Sequence, residues 1–583
     1  MLRRTTGLFL LAAILIIGPA SAQQAPVPTQ RIDSLVTAYQ DARLFNGAVM
    51  VGQGDSVVYA RAVGDANMEW DVPNRPDTRF HIGSVTKQFT AALILTLVEE
   101  NEIALDSTIS TYLPDYPGPG ADRITIHHLL THRSGIPSFT GFEDYASRIM
   151  RLEWEPDSLV AEFAGRGLDF EPGRQWAYSN SGYFLLGVIA QEVTGQHYAT
   201  ALREKVLAPL DLDGPIGYAF SDQVIEREAS GYEQTVWGYR RAEPIESSVP
   251  LSAGMLYATP GGLHQWTRAL HTGRVLSDSL YEKMTTPHAP SGYGYGLVMR
   301  ADTLSGTPVS IAGHGGGING FTSSLTYVTP GEYTIVALDN TTGGSTSRLT
   351  EGIRQLLYDG TPLPPQPSVA RVLWDVLETQ DVGAATARYE RLRQEQPNAY
   401  TFGASEVVRL GDALREQERA EEAVGIYEFA IAEDSTLAEA YAGLGLAQKT
   451  LGDRDAAESN LKAALDRNPG HEAAKRGLRA MGVEVGTQTV EVSPETLERY
   501  TGVYAAKPRP SFKITVTRQG NQLYTQATGQ QKFKVYPSSQ TKFYLKVVDA
   551  QIEFTVQNGS VPRLTLYQRG QEIVFERTEE ASK

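Results

Sequence analysis

Alternating apolar and polar residues mark two hairpins at opposite ends of a long first segment of the chain. The stretches NGAVMVGQGDSVVYARAVG and SSLTYVTPGEYTIVALDN each hold two strand-like runs separated by a polar turn. Between them lie long patterns with helical spacing and loops rich in glycine and proline. This order predicts an α+β domain over residues 23–360, with one antiparallel sheet whose first and last strands come from opposite ends of the segment.

A proline-rich segment, DGTPLPPQPS, then interrupts the pattern and predicts a linker over residues 361–368. Beyond it, small and apolar residues recur in two units, which begin 34 positions apart at Ala404 and Ala438. The units match at Leu410 and Leu444, Gly411 and Gly445, Ala423 and Ala457, and Ala430 and Ala464. This resembles tetratricopeptide repeats and predicts an all-α domain over residues 369–484, with a plain helical spacer as the alternative. Repeats of this kind imply a protein or peptide partner.

The tail of the chain changes period once more. From Glu491 onward, runs such as FKITVTRQGNQLYTQATG and RLTLYQRGQEIVFER alternate polar and apolar residues between glycine or asparagine turns. This pattern predicts a small antiparallel β-barrel or sheet over residues 490–583.

The first residues of the chain have the pattern of an export signal. Two arginines precede an apolar run, and Ala20-Ser21-Ala22 follows it, which predicts a signal peptide over residues 1–22 with cleavage after Ala22. No later stretch reaches 18 uninterrupted apolar residues, so we expect no transmembrane anchor after cleavage. The predicted location is periplasmic or secreted. The chain has no cysteine, which excludes disulfides and thiolate catalysis.

The length of the chain indicates how many domains it holds, and its net charge excludes one class of partner. A chain of 583 residues should hold roughly three or four domains. Its formal net charge of -16 argues against nucleic acid as a partner, because binding to phosphates needs clustered Lys and Arg.

Ser84 and Lys87 form a Ser-x-x-Lys pair at the start of a predicted buried helix. The pattern occurs three times, and the other copies begin at Ser459 and Ser539. Ser459 lies within a predicted repeat helix and Ser539 lies between two predicted strands, so neither fits a nucleophile at a helix start. Only the first copy precedes a long apolar run, FTAALILTLV, which predicts a helix buried on most sides.

A serine at a helix start is commonly only an N-cap, and Lys87 argues against that reading of Ser84. A capping box would place Glu or Gln three residues after the serine, and the positive end of a helix disfavours a cation in its first turn. The same position, together with burial, lowers the pKa of a lysine, so that a neutral amine one turn away can accept the serine proton. Ser84 is therefore a candidate nucleophile with Lys87 as its base.

A second motif supplies a proton carrier and an amide. Tyr178 and Asn180 form the single Tyr-x-Asn motif of the chain, between a Pro-Gly turn and a new apolar helix. A tyrosine there can carry a proton to the leaving group, and an asparagine can bind a substrate amide.

A third motif supplies bare backbone beside a predicted strand. In GHGGGINGF, His314 is followed by Gly315, Gly316 and Gly317. Glycines let the backbone approach a substrate closely, so the backbone N–H groups of Ser84 and Gly317 are candidates for holding an oxyanion.

Together these motifs resemble the serine β-lactamase and penicillin-recognising enzyme superfamily, in the branch of class C β-lactamases, D-alanyl-D-alanine carboxypeptidases, D-aminopeptidases and related esterases. The resemblance covers about residues 32–358 and extends to ITIHHLLTHRSGIP, LSAGMLYATPGGLHQW and YGYGLVM. It implies an antiparallel sheet with helices on both faces. It also implies acylation of Ser84, proton handling by Lys87 and Tyr178, substrate orientation by Asn180, and a pocket lined by His314. The segment LERYTGVY resembles the opening of lipocalin-like domains attached to some secreted serine hydrolases.

Other clusters do not point to a cofactor. His127, His128 and His132 have a spacing near that of metal ligands, but no cysteine and no nearby pair of acidic residues completes a site. The segment GGGING lacks the Lys and Ser or Thr of a phosphate loop, and no Gly-x-Ser-x-Gly occurs. We therefore expect no metal and no cofactor.

The charge of the first residue in the third motif indicates which substrate classes are favoured. A lysine there would offer a full positive charge to a substrate carboxylate, whereas His314 offers a partial or pH-dependent one. We predict first an exported serine hydrolase that acts on esters, D-amino-acid amides or peptides through a Ser/Lys/Tyr acyl-enzyme mechanism. The second prediction is a β-lactamase or penicillin-binding D-alanyl-D-alanine carboxypeptidase. A non-catalytic ligand sensor or scaffold that recruits proteins through its repeats is the alternative of another class.

Overall fold

Three regions follow one another along the chain: an α+β region, an all-helical region and a C-terminal barrel. The structure is a computed structural model, and it describes residues 27–142, 144–483, 491–507, 509–528, 530–545, 548, 550–557, 559–568 and 571–578. The predicted signal peptide lies outside the described residues. None of the described helices is long and apolar enough to cross a membrane. The predicted fold class is confirmed, while the tetratricopeptide and lipocalin-like assignments stay predictions.

The first region is built around one large antiparallel sheet. The strands of the whole region, most of them outside this sheet, are β1 (Gly47–Gln53), β2 (Ser56–Val63), β3 (Asp65–Asn67), β4 (Val72–Pro73), β5 (Phe80–His81), β6 (Ile216–Tyr218), β7 (Tyr232–Gln234), β8 (Tyr239–Arg241), β9 (Leu256–Ala258), β10 (Val298–Leu304), β11 (Thr307–Ile318), β12 (Phe321–Thr329), β13 (Tyr333–Asp339) and β14 (Thr341–Thr342). The main sheet has the order β10-β11-β12-β13-β1-β2. The two predicted hairpins are β1–β2 and β12–β13, and Gly47 pairs with Asp339 where β1 meets β13. The ends of the region thus join in one sheet.

Helices cover both faces of this sheet. They are α1 (Thr29–Asp41), α2 (Thr86–Glu99), α3 (Ile109–Tyr112), α4 (Ile126–Leu130), α5 (Pro156–Ala164), α6 (Asn180–Thr194), α7 (Tyr198–Leu202), α8 (Pro260–His271), α9 (Asp278–Thr285) and α10 (Thr346–Leu357). Successive residues of β13 point to opposite faces, so Ile335 packs with the residues of α1 and α10, and Val336 packs with those of α2 and α8. All seven residues of β13 are buried for this reason.

Helix α2 is buried on nearly every side because it packs against α6 and the turn Leu251–Ala253. Its apolar residues extend around the whole helix, as the run FTAALILTLV predicts. The polar residues of its first turns are buried as well, and Lys87 is 0% exposed. A buried lysine needs a specific set of partners, because an isolated charge inside a protein is strongly unfavourable.

The helical region consists of α11 (Val369–Leu377), α12 (Val382–Glu395), α13 (Ala404–Glu416), α14 (Ala420–Glu433), α15 (Ala438–Leu451), α16 (Arg454–Arg467) and α17 (Glu472–Ala480). Helices α13 and α15 begin 34 positions apart, and so do α14 and α16. The small residues of the repeat unit allow close helix contact. At Gly411 and Gly443, an added Cβ would lie 2.7 and 2.3 Å from the ring of Tyr427.

The C-terminal region is a short helix followed by a closed barrel. It contains α18 (Pro494–Tyr500), β15 (Gly502–Ala506), β16 (Arg509–Gln519), β17 (Gln522–Ala527), β18 (Lys532–Pro537), β19 (Lys542–Leu545), β20 (Ala550–Gln557), β21 (Ser560–Gln568) and β22 (Gln571–Arg577). Each strand pairs with the next, and β15 closes the barrel by pairing with β22. Of the two predicted forms, barrel or open sheet, the structure has the barrel.

Candidate active site

Ser84 lies on a tight turn between β5 and α2. The turn is the 3₁₀ segment Gly83–Val85, and Gly83 has a φ of 50°. A Cβ atom at position 83 would lie 2.8 Å from the nitrogen of Gly317, so only glycine fits there without strain. This close approach brings the turn Gly83–Val85 against strand β11, which carries the third motif.

Ser84 does not cap the helix that follows it. The residue at the N-cap position of α2 is Val85, and no side chain makes a capping hydrogen bond there. The hydroxyl of Ser84 instead lies 3.1 Å from Nζ of Lys87. The N-cap alternative for Ser84 is therefore wrong.

Three oxygen atoms surround the amine of Lys87. Nζ lies 2.6 Å from the carbonyl oxygen of Ala253 and 2.8 Å from Oδ1 of Asn180, in addition to its contact with Ser84. Burial holds the pKa of Lys87 well below its usual value. A neutral amine has two N–H donors and one lone pair. When the amine is neutral, its two donors go to Ala253 and Asn180, because carbonyl oxygens can only accept, and its lone pair is left to accept the Ser84 proton.

The hydroxyl of Ser84 lies close enough to Tyr178 to lower the pKa of its phenol. The ring of Tyr178 also lies beside Lys87, whose Nζ is 5.0 Å from the ring centroid. Loss of solvation raises the pKa of Tyr178, and the neighbouring Ser84 hydroxyl only partly offsets this rise. The phenol therefore stays protonated at neutral pH, which suits a proton donor better than a resting base.

Asn180 is the first residue of α6, and its side chain is fixed at both ends. Oδ1 accepts a hydrogen bond from Lys87, and Nδ2 donates to Oγ1 of Thr140 over 3.0 Å. The preceding residue, Ser179, caps the helix, because its Oγ accepts from the backbone N–H of Gly182. An amide nitrogen carries two hydrogens, so Nδ2 keeps one for a substrate carbonyl.

His314 lies on β11, beside Tyr293 and Gly315. Its Nδ1 is 2.6 Å from the carbonyl oxygen of Gly315, so Nδ1 carries the hydrogen. Its Nε2 is 3.1 Å from the hydroxyl of Tyr293, which therefore donates to it. Burial is the main cause that lowers the pKa of His314 to about 4. The ring is thus neutral at neutral pH, and both of its nitrogens are engaged.

The glycines after His314 contribute backbone rather than side chains. A Cβ atom on Gly316 would lie 2.0 Å from the carbonyl oxygen of Ile82, so this residue packs against the start of the turn that carries Ser84. Gly315 faces Ser323 with more room. At Gly317, an added Cβ would meet no atom within 4 Å, and this residue lines the same cleft as Ser84.

A cleft of about 660 Å³ opens above Ser84. Its walls come from the turn before α2, the start of α6, the end of β11 and the hairpin β7–β8. The residues nearest the predicted chemistry are Ser84, Thr140, Asn180, Ala253 and Gly317, and the outer residues include Glu233, Arg240 and Glu243. This volume fits a small molecule or a short peptide.

His132 is a buried residue of the site that sequence reasoning considered only as a metal ligand. It is 1% exposed, and its ring centroid lies 4.3 Å from that of Tyr178. Its Nδ1 accepts a 3.1 Å hydrogen bond from the backbone N–H of Ser179. Burial is the main cause that holds the pKa of His132 well below its usual value, so the ring is neutral at neutral pH. The ring therefore lies under the loop that carries Tyr178 and Asn180. His127, by contrast, contacts His288 and Tyr295.

Family comparisons match two parts of the chain. The family described as Beta-lactamase matches residues 32–359, which is more than half of the 583 residues. A second family, described as Domain of unknown function (DUF3471), matches residues 487–577.

Individual proteins are similar to about a third of the chain, to about half of it, or to most of it. Penicillin-binding protein 4* of Bacillus subtilis (strain 168) is 27% identical over 331 residues, covering 53% of this chain and 71% of the relative. Esterase EstB of Burkholderia gladioli is 34% identical over 196 residues, covering 31% of this chain and 50% of the relative. The structure of the octameric penicillin-binding protein homologue from Pyrococcus abyssi is similar with a TM-score of 0.50 and 20% identity, covering 94% of this chain and 100% of that one. The last likeness concerns the fold alone.

Proposed function

The chain belongs to the Beta-lactamase family of serine hydrolases, and we propose that it hydrolyses esters, D-amino-acid amides or peptides through an acyl-enzyme on Ser84. One observation carries the proposal. The amine of Lys87 is buried and has three neighbouring oxygens. The oxygens of Ala253 and Asn180 accept its N–H groups, which leaves its lone pair for the third neighbour, the Ser84 hydroxyl. A neutral lysine in hydrogen-bond contact with a serine is the arrangement that activates a hydroxyl nucleophile.

The first half of the proposed reaction forms the acyl-enzyme. Ser84 Oγ attacks the substrate carbonyl carbon while its proton passes to Lys87 Nζ. The backbone N–H groups of Ser84 and Gly317 donate to the oxygen that gains negative charge. Tyr178 gives its phenolic proton to the leaving group and regains a proton from Lys87, so that the bond to the leaving group breaks.

The second half releases the product. A water molecule enters where the leaving group was and attacks the ester carbonyl carbon of acylated Ser84. Its proton passes through Tyr178 and Lys87 to the departing Ser84 oxygen, which restores the free enzyme. Asn180 holds the carbonyl or amide of the acyl group with the second hydrogen of its Nδ2.

The third motif supports neutral acyl groups over carboxylates. His314 is uncharged at neutral pH, and both of its ring nitrogens are engaged by Tyr293 and Gly315. The site therefore offers no full positive charge at this position, unlike a Lys-Thr-Gly motif. Similarity to an esterase supports the same preference. Penicillin-binding or β-lactamase activity is the second candidate, and it is favoured by similarity to Penicillin-binding protein 4*.

We further propose that the enzyme is exported and that its helical region consists of tetratricopeptide repeats that bind a protein or peptide. The apolar run and Ala20-Ser21-Ala22 support export. The repeat assignment is supported by helix starts 34 positions apart and by the small residues where the helices cross.

The test uses the purified protein and a fluorophosphonate probe. We expect the probe to label the wild type at Ser84, to fail on Ser84→Ala, and to label Ser459→Ala fully, because Ser459 is the matched serine of a second Ser-x-x-Lys pattern. If the folded wild-type protein is not labelled, the proposal that it is a serine hydrolase is contradicted, and the non-catalytic ligand sensor is favoured.

A substrate panel then ranks the activities. It contains p-nitrophenyl esters, D- and L-amino-acid amides, a chromogenic cephalosporin and a muropeptide. We expect turnover of esters or D-amino-acid amides above that of the cephalosporin. Rapid cephalosporin turnover without esterase or amidase activity would instead support the β-lactamase.

A further inference from the structure

The hairpin β7–β8, residues 232–241, links the cleft to the helical region. Its base is tied to the segment that follows β13: the backbone N–H of Tyr232 donates to the carbonyl oxygen of Asn340 over 3.0 Å, and β7 pairs in parallel with β14 in a separate three-stranded sheet. The side chain of Asn340 also donates to the carbonyl oxygen of Ser230 over 2.9 Å. The base of the hairpin is therefore fixed by the α+β region.

The tip of the hairpin is held by a different region. Val236 is 7% exposed and belongs to one apolar core with Val369 and Leu373 of α11 and other residues of the helical region. Trp237 packs against the same core. The tip is thus buried among helices that begin more than a hundred residues later in the chain.

The middle of the hairpin faces the cleft. Glu233 on β7 and Arg240 on β8 both line the cleft that contains Ser84. Nε of Arg240 donates to a carboxylate oxygen of Glu233 over 2.7 Å, and within the described residues no hydrogen bond engages its two terminal nitrogens. Glu416, at the end of α13, adds a negative charge that acts on Arg240. The helical region is therefore close to this wall of the cleft.

A ribbon of two three-residue strands has little stability of its own. Isolated two-stranded hairpins are marginal in water, so the position of this one depends on its contacts with the rest of the chain, which include Glu69 beside Tyr232 and Arg241. If the tip were released, the side chains on both strands would move relative to Ser84. Displacements of about 1 Å in a binding site are enough to change rates strongly.

We propose that the helical region sets substrate selectivity by holding this hairpin, with Val236 and Trp237 as positioning residues. In this arrangement, the terminal nitrogens of Arg240 donate to a carbonyl oxygen and Glu233 accepts from an N–H of a substrate that extends beyond its reactive carbonyl. Paired donors and acceptors of this kind fit a peptide-like chain. Small esters do not reach the hairpin. This inference rests on the proposed acyl-enzyme function of Ser84.

The kinetic test compares two esters with the same leaving group, p-nitrophenyl acetate and the p-nitrophenyl ester of an acetylated tripeptide of D-amino acids. For Trp237→Ala we expect KM for the peptide ester to rise about tenfold, while kcat/KM for the acetate stays within about twofold. Trp237→Phe keeps a ring at the tip, so its KM for the peptide ester should stay close to that of the wild type. Trp70→Ala is the matched control, because Trp70 is 80% exposed.

A double-mutant cycle tests whether the tip acts through the cleft wall. Arg240→Gln should raise KM for the peptide ester, and Trp237→Ala combined with it should add little, since both remove the same interaction. Equal losses on both esters, or fully additive effects, would overturn the proposal.

Hydrogen exchange gives a readout that needs no catalysis. In Trp237→Ala, backbone amides of residues 232–241 should exchange faster than in the wild type, while those of β12 and β13 stay protected. Unchanged exchange would overturn the anchoring of the hairpin whether or not the probe labels Ser84. Faster exchange in a protein that the probe does not label would retain the anchoring and contradict only the proposed function.

Discussion

Nζ of Lys87 lies 2.8 Å from Oδ1 of Asn180, a contact that joins the first turn of α2 to the start of α6 across 93 positions of the chain. The same amine is 3.1 Å from Ser84, so the second motif fixes the orientation of the base of the first. Because an amide oxygen can only accept, it takes one N–H of the neutral amine and turns the lone pair toward the serine. The two motifs therefore act as one unit.

Replacing Lys87 by methionine should abolish acylation without unfolding the protein. Methionine fills a similar volume and needs no hydrogen-bond partners, whereas the hydroxyl of Ser84 loses its base. We expect the rate of fluorophosphonate labelling to fall by about 10³-fold, within the range for loss of a general base. Circular dichroism should show an unchanged fold. The matched control is Lys462→Met, in the Ser459 copy of the pattern, where the lysine is exposed and paired with Glu458. Normal labelling of Lys87→Met would contradict the assignment.

The pH dependence of stability should reveal the same lysine. Its pKa is lowered in the folded protein and returns to 10.5 when the chain unfolds. Between these two values the unfolded state binds more protons, so this group makes the free energy of unfolding rise with pH, by up to about 1.4 kcal/mol per pH unit. Lys87→Met should remove that part of the slope over the window below pH 10.5. Denaturant unfolding at a series of pH values measures it, and parallel slopes for the two proteins would show that Lys87 is charged in the fold.

His132 should affect catalysis by supporting the loop that carries Tyr178 and Ser179. His132→Phe removes the acceptor for the buried N–H of Ser179, whereas His132→Asn offers an amide oxygen and tolerates the φ of 56° at this position. We expect kcat to fall by about 10–100-fold in the Phe variant with KM nearly unchanged, because Tyr178 loses its support. The Asn variant should keep activity within a few fold. A drop in melting temperature with unchanged kcat in both variants would indicate a purely structural role.

The sequence predicts local chemistry better than long-range contacts. The periodicity of the apolar residues is enough to predict the α+β class and the burial of α2. Lys87, a cation in the first turn of a helix, is enough to distinguish Ser84 from other serines at helix starts. No pattern points to the carbonyl oxygen of Ala253 as a partner of Lys87, since a backbone group has no residue signature. Thr140 is likewise an ordinary loop residue until the fold places it beside Asn180.

Two further features depend on regions that are distant along the chain. The engagement of His314 by Tyr293 follows from the path of the segment before β10, not from the His-x-Gly motif itself. Burial of Val236 requires helices from another region. Sequence analysis could therefore identify the residues of the candidate site, whereas the tautomer of its histidine and the walls of its cleft required the fold.

Tyr178→Phe should separate proton transfer to the leaving group from activation of the nucleophile. The phenol lies near Ser84 and its pKa is raised, so it is protonated at neutral pH and its proposed task is to give a proton to the departing group. An amine leaving group must be protonated before it departs, whereas p-nitrophenolate leaves without a proton. We therefore expect kcat on a D-amino-acid amide to fall by about 10²–10⁴-fold and kcat on a p-nitrophenyl ester to fall far less. Tyr183→Phe is the control, because that hydroxyl donates to the carbonyl oxygen of Leu130 and not to Ser84. Equal losses on both substrates in Tyr178→Phe would instead make the tyrosine part of the base that activates Ser84.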